Sequence, residues 1–235
     1  MAKKNKDISS SNLIKVKPIT EGQKSVFETW KQGKNQFLFG CAGTGKTFIS
    51  LYLAMQDVLN LQTKYEKVIL VRSLIPTREI GFLPGDEEDK AALYQVPYQN
   101  MVKFMFEQPN EQAFNMLYDR LKNQGSLYFL STSFLRGLTF DNSIIIVDEC
   151  QNLNFHELDT ITTRVGQDSK IIYCGDFSQT DLLKQNERNG LHDFLRILEE
   201  MQEFNCVEFN IGDIVRSGFV RNYLIQKTKL GMGME

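Results

Sequence analysis

The chain has 235 residues, 42% hydrophobic and 24% charged, with only 5 prolines, a balance that fits a globular protein with a real core and excludes collagen-like or low-complexity classes. Its 27 basic and 29 acidic residues leave a net charge of −2. That excludes a surface given over wholly to nucleic acid and confines any such contact to a local patch.

In chain order, Met1 to Ser11 mixes lysines and serines with no apolar stretch behind them, so it reads as a flexible tail over 1–14 rather than a signal peptide. One domain is expected over 15–235. Thr20-Glu21-Gly22-Gln23 has the form of a capping box, and Val26, Phe27 and Trp30 then fall on one helical face. Gln36 to Phe39 predicts a short strand and Thr47 to Leu59 a helix; Lys67 to Arg72 predicts a second strand. Met101 to Phe106 and Ala113 to Leu121 read as helices, with Phe104 and Phe106 expected in the core and Tyr94 and Tyr98 left open between core packing and stacking on a nucleic-acid strand. Strands over Leu127 to Leu130, Ser143 to Val147, Lys170 to Cys174 and Cys206 to Phe209 alternate with helices over Phe155 to Val165 and Leu191 to Phe204. Repeated strand–helix alternation predicts an α/β fold, a mostly parallel sheet with helices on both faces. The longest apolar runs, such as Ile144 to Val147, fall far short of the roughly 20 residues of a membrane span. A cytoplasmic protein with no membrane partner is expected, in a bacterium or, if phage-encoded, its host. Cys41, Cys150, Cys174 and Cys206 are widely spaced, with no CxxC pair and no histidine at a ligand spacing, so zinc is not expected.

Gly40-Cys41-Ala42-Gly43-Thr44-Gly45-Lys46-Thr47 fits GxxxxGK[ST] at every fixed position, with a strand before and a helix after. In such a loop the glycines let backbone N–H groups turn inward on phosphates, and the helix N-terminus adds partial positive charge. Lys46 is then the outer-phosphate cation, and the Thr47 hydroxyl a magnesium ligand. The cofactors expected are ATP and Mg2+. Ile144 to Val147 runs into Asp148-Glu149, at a strand end where open α/β sheets place their ligands. Asp148 is expected to hold magnesium and Glu149 to act as general base on the attacking water. Gly175-Asp176-Phe177-Ser178-Gln179 follows another strand. Gln179 there is a candidate γ-phosphate or water-orienting amide, against a plain turn with Asp176 as a helix cap.

Taken together, these segments resemble the PhoH-like ATPases, whose core is similar to the first motor domain of superfamily-one helicases, a RecA-like P-loop core. The resemblance runs through Gly40 to Thr47, Gly81-Phe82-Leu83-Pro84-Gly85-Asp86, Arg136 to Phe140, Asp148 to Asn152, Thr163 to Gly166, Gly175 to Asp181 and Asp213 to Arg216. Cys150 stands where that family usually has alanine. The resemblance implies that Gln23 reads adenine, which competes with its capping role. It also implies that Gln179 is the motif III glutamine, and that one of Arg72, Arg136, Arg164 and Arg216 is an arginine finger, with Arg164 and Arg216 the candidates. A single motor-like domain must borrow the second wall of its site, which implies a homo-oligomeric ring such as a hexamer. RNA or single-stranded DNA is the implied effector. The competing classes are a small-molecule kinase and an ATP-dependent assembly or switch protein without translocation.

Overall fold

The computed structural model describes residues 7–73, 87–132, 135, 137–177 and 190–230, with residues 87–92 described by backbone alone. The Gly81 to Asp86 block, Arg136 and Gln179 lie outside the described residues.

Among the described residues, six strands form one parallel sheet: β1 (Asn35–Gly40), β2 (Lys67–Arg72), β3 (Leu127–Ser131), β4 (Ser143–Val147), β5 (Lys170–Gly175) and β6 (Phe204–Phe209). They lie in the order β3-β2-β4-β5-β1-β6. The helices are α1 (Glu21–Lys31), α2 (Lys46–Val58), α3 (Glu87–Phe106), α4 (Glu111–Asn123), α5 (Phe155–Thr162), α6 (Leu191–Glu200) and α7 (Gly218–Lys229).

The period-2 alternation of a strand sends successive side chains to opposite faces, and here each face has its own core. Leu38, Val68, Leu70, Ile144, Ile146, Ile172 and Phe209 pack with α1 to α4. Phe37, Phe39, Ile69, Val71, Ile145, Val147 and Tyr173 pack with α5 and α6. Both faces are covered, so β4 is apolar at Ile144, Ile145, Ile146 and Val147 without alternation. Among the described residues no helix is long and apolar enough to cross a membrane.

Several expectations are corrected. The helix expected over Leu191 to Phe204 ends at Glu200, because Phe204 is buried as the first residue of β6. The helix expected from Met101 extends back to Glu87, with Pro97 inside it. Phe104 is 62% exposed rather than core, although Phe106 is buried. Within the stretch read as a tail, Ile8 and Leu13 are buried in the α1 to α4 core, and Ser10 and Ile14 donate backbone hydrogen bonds to Leu59 and Met105. The packed region therefore begins before residue 15. Helix α7 went unread; it buries none of its residues and leaves Phe219 82% exposed.

Candidate nucleotide site

The parallel register brings the carboxyl ends of β1, β2, β4 and β5 to one edge, since Phe39 pairs with Gly175, Val147 with Tyr173 and Val71 with Val147. Gly40, Arg72, Asp148 and Asp176 therefore emerge side by side. Because β5 lies between β1 and β4, the phosphate loop and Asp148 are separated by roughly 10 Å of sheet, a gap that side chains must span.

The loop leaves β1 at Gly40, whose φ is +117° and where a Cβ would stand 2.2 Å from the Phe209 carbonyl oxygen. Only glycine fits that close approach to β6. Cys41 N–H then donates to the same Phe209 oxygen at 2.8 Å. Gly43, at φ +74°, faces the Arg216 side chain, which a Cβ would meet at 2.9 Å, and its carbonyl accepts from Val215 N–H at 3.1 Å. The segment behind Arg216 is anchored by Asp213, whose carboxylate accepts from Gly22 N–H and Asn210 N–H, each at 2.9 Å. Lys46 opens α2 and is buried. Its ammonium donates to Cys41 O at 2.8 Å and Gly40 O at 3.3 Å and pairs with the Asp176 carboxylate at 2.6 Å.

Thr47, also on the first turn of α2, spans the gap to β4: its hydroxyl donates to Asp148 Oδ1 at 2.7 Å. Asp148 is buried, and Tyr98 of α3 donates to Oδ2 at 2.7 Å. Glu149 follows with left-handed backbone, φ +53°, an uncommon conformation for a residue with a Cβ and one that clusters at functional sites. Burial, then the Asp148 charge, raises its carboxyl above the ordinary range, while a hydrogen bond from Gln151 at 2.5 Å opposes the rise. Gln151 also accepts from Asp176 N–H at 3.2 Å. Phe177, stacked on Phe39 at 5.7 Å, pins the turn that carries Asp176.

Gln23 does not complete a capping box. Thr20 does cap α1, accepting from Gln23 N–H at 3.3 Å. The Gln23 side chain, however, accepts from Ile19 N–H rather than from the cap residue, and its amide donates to the Thr44 carbonyl. It thus ties the segment upstream of α1 to the phosphate loop and lines the cleft, with one amide proton that has no partner among the described residues. Arg72 and Arg216 also line this cleft. Arg164 does not: it precedes β5, beside a bridge between Phe140 and Val165 at the opposite end of the strands, and its Nε has no hydrogen-bond partner among the described residues.

The cleft is about 760 Å³, lined by Val16, Ile19, Gln23, residues 43–49, Asp148, Glu149, Asp176 and Arg216, a size suited to a nucleotide. The donor set fits a nucleoside triphosphate with magnesium. Glycines with positive φ aim a loop at a helix N-terminus, a buried ammonium stands beside them, and a hydroxyl–carboxylate pair supplies hard oxygen ligands. The cluster of Asp148, Tyr98 and Arg72 and the Lys46–Asp176 pair were not legible in sequence. The burial of Tyr98, left open in the sequence, had a usable signal: Tyr98, Val102 and Met105 recur at i, i+4, i+7, and all are buried.

Residues 15–226 match the family described as PhoH-like protein. The chain belongs to the PhoH-like family. It is 33% identical to a PhoH-like protein of Synechocystis over 79% of this chain and 54% of that one, and 32% identical to Protein PhoH of Escherichia coli over 80% and 51%. It thus spans about half the length of these curated relatives. Among solved structures, the large terminase of a thermophilic bacteriophage superposes with a TM-score of 0.51 at 12% identity, covering 90% of this chain and 50% of that one. That likeness is one of fold, the RecA-like P-loop core.

Proposed function

We propose that this PhoH-like chain is a magnesium-dependent ATPase. The observation that carries the reading is the convergence of Thr47 and Asp148, 101 positions apart, at 2.7 Å, with Lys46 and Glu149 in the same cleft. Lys46 and the amides of Gly43 to Thr47 would bind the phosphates, and Thr47 and Asp148 would hold magnesium, which supplies charge neutralisation at the transferring phosphoryl group. Glu149, half-buried and held by Gln151, has the raised basicity suited to accepting a proton from the attacking water. Gln23, through its remaining amide proton, would read the adenine, and Gln179 would contact the γ-phosphate.

The ATPase is further proposed to be a helicase-like motor, driven by RNA or single-stranded DNA and working as a homo-oligomeric ring. Support comes from the motif resemblance to helicase motor domains. Arg164, lying away from its own cleft, suits a finger offered to a neighbouring subunit; Arg216 suits a phosphate contact within its own subunit.

Steady-state phosphate release with ATP and magnesium, with and without single-stranded RNA and DNA, tests this reading. Stimulation by one polymer identifies the track. Turnover indifferent to both would replace the motor with an ATP-dependent assembly or switch protein.

A further inference from the structure

Tyr98 is 1% exposed and sits on α3, outside every phosphate-loop motif. Its hydroxyl donates to Asp148 Oδ2 at 2.7 Å, while Asp148 Oδ1 accepts from Thr47 at 2.7 Å. The Arg72 guanidinium, at the end of β2, is a charged neighbour of the Tyr98 hydroxyl and of Asp148, and it sits over the Tyr94 ring at 5.6 Å. The result is one hydrogen bond from α3 to the carboxylate at the end of β4, with the Arg72 charge beside it. The Tyr98 ring is held independently, 5.8 Å from the Phe129 ring on β3.

A carboxylate at the end of a strand can turn about χ2. Donors on both oxygens remove that freedom, and hydrogen bonds to an ionised acceptor are the stronger kind. We infer that Tyr98 is a positioning residue for the metal site, fixing the Asp148 carboxylate so that Oδ1 faces Thr47 and the phosphate loop. The inference rests on the ATPase reading. Its alternative is a buried tyrosine satisfied by a nearby acid, contributing to stability alone. Residues that orient a metal ligand from behind typically change metal affinity about 10- to 100-fold when removed, whereas a stability role leaves metal dependence untouched.

The test uses the full chain and a fluorescent ATP analogue, titrated in EDTA and then with increasing magnesium, beside thermal melting. Tyr98→Phe keeps the ring and its contact with Phe129 and removes only the hydroxyl. It is expected to bind nucleotide in EDTA within about twofold of wild type, because Lys46 and the loop are untouched, while the magnesium concentration for half-saturation rises about 10- to 100-fold. Phe129→Leu is the packing control: it should lower the melting temperature and leave magnesium dependence at the wild-type value. Superposable magnesium titrations for wild type and Tyr98→Phe overturn the inference while the ATPase reading stands, as does an equal loss of binding with and without metal. A wild-type chain that binds no nucleotide even with magnesium overturns both.

Discussion

The hydroxyl of Thr47 lies 2.7 Å from Oδ1 of Asp148, across the strand that separates the phosphate loop from β4. This contact joins the two halves of the candidate nucleotide site. Replacing Thr47 by Ala removes both the hydroxyl proposed to ligate magnesium and the donor to Asp148. The expected outcome is a rise of about 10- to 100-fold in the magnesium needed for half-maximal turnover, with little change in melting temperature, read from phosphate release against magnesium concentration.

Lys46 and Asp176 form a 2.6 Å ion pair whose acid side chain is 41% exposed. Such a pair is worth about 1 kcal/mol or less, and any anion bound by Lys46 must share its ammonium with that carboxylate. Asp176→Asn should therefore tighten nucleotide binding in EDTA by about fivefold or less, measured by equilibrium titration. Lys46→Ala should abolish it, since water cannot replace a buried cation at that position. Weaker binding by Asp176→Asn would show that the carboxylate organises the loop rather than competing for Lys46.

The side chain of Arg216 lies against Gly43 of its own phosphate loop, whereas Arg164 lies at the other end of the strands. Mixing Arg164→Ala chains with Lys46→Ala chains should partly restore turnover if subunits share sites. Mixing Arg216→Ala with Lys46→Ala should not, because both residues serve one cleft. Rescue by Arg216→Ala mixtures would transfer the finger to Arg216; no rescue in either mixture, with a monomer on sizing, would remove the shared site.

Lys170 is 2% exposed. Its ammonium sits 4.0 Å from the Trp30 ring and donates to the Trp30 carbonyl, and burial pushes its pKa down from 10.5 to about 8. Below pH 8 both the folded and unfolded chains carry the proton, so this group adds no pH dependence. Between about 8 and 10.5 the folded chain has released a proton that the unfolded chain still binds, so stability rises with pH by up to about 3 kcal/mol. Buried tyrosines and thiols with raised pKa values pull the other way, so the contribution is read as a difference. Chemical denaturation of wild type and Lys170→Met at pH 7.5 and 9.5 should show wild type gaining on the variant as pH rises. Parallel curves would contradict a depressed Lys170.

How far the sequence reached follows from the range of each interaction. The phosphate loop and the Asp148-Glu149 step are runs of adjacent residues between regular elements, so motif and context together located them. The strands were legible because β4 and β5 are apolar on both faces. Tyr98 and Asp148 meet across 50 positions, and Gly22 and Asp213 across 191. Neither pair leaves a local pattern, and each exists only because the parallel register gathers the strand ends at one edge. The start of α3 was missed because Pro97, which removes a helix hydrogen bond, interrupts the pattern ahead of Met101. The Asp176 turn stayed open between a site residue and an ordinary cap because its partner, Lys46, belongs to a different strand end.

Glu149→Gln tests the central claim most directly, with ATP binding and phosphate release measured on the same preparation in magnesium. The substitution keeps the shape and the contact with Gln151 and removes only the ability to accept a proton. Wild type should bind ATP and release phosphate; the variant should bind within severalfold of wild type and lose turnover by at least about 100-fold. Turnover near the wild-type rate in Glu149→Gln, or wild-type binding with no phosphate release, would contradict a hydrolytic site built on Lys46, Thr47, Asp148 and Glu149.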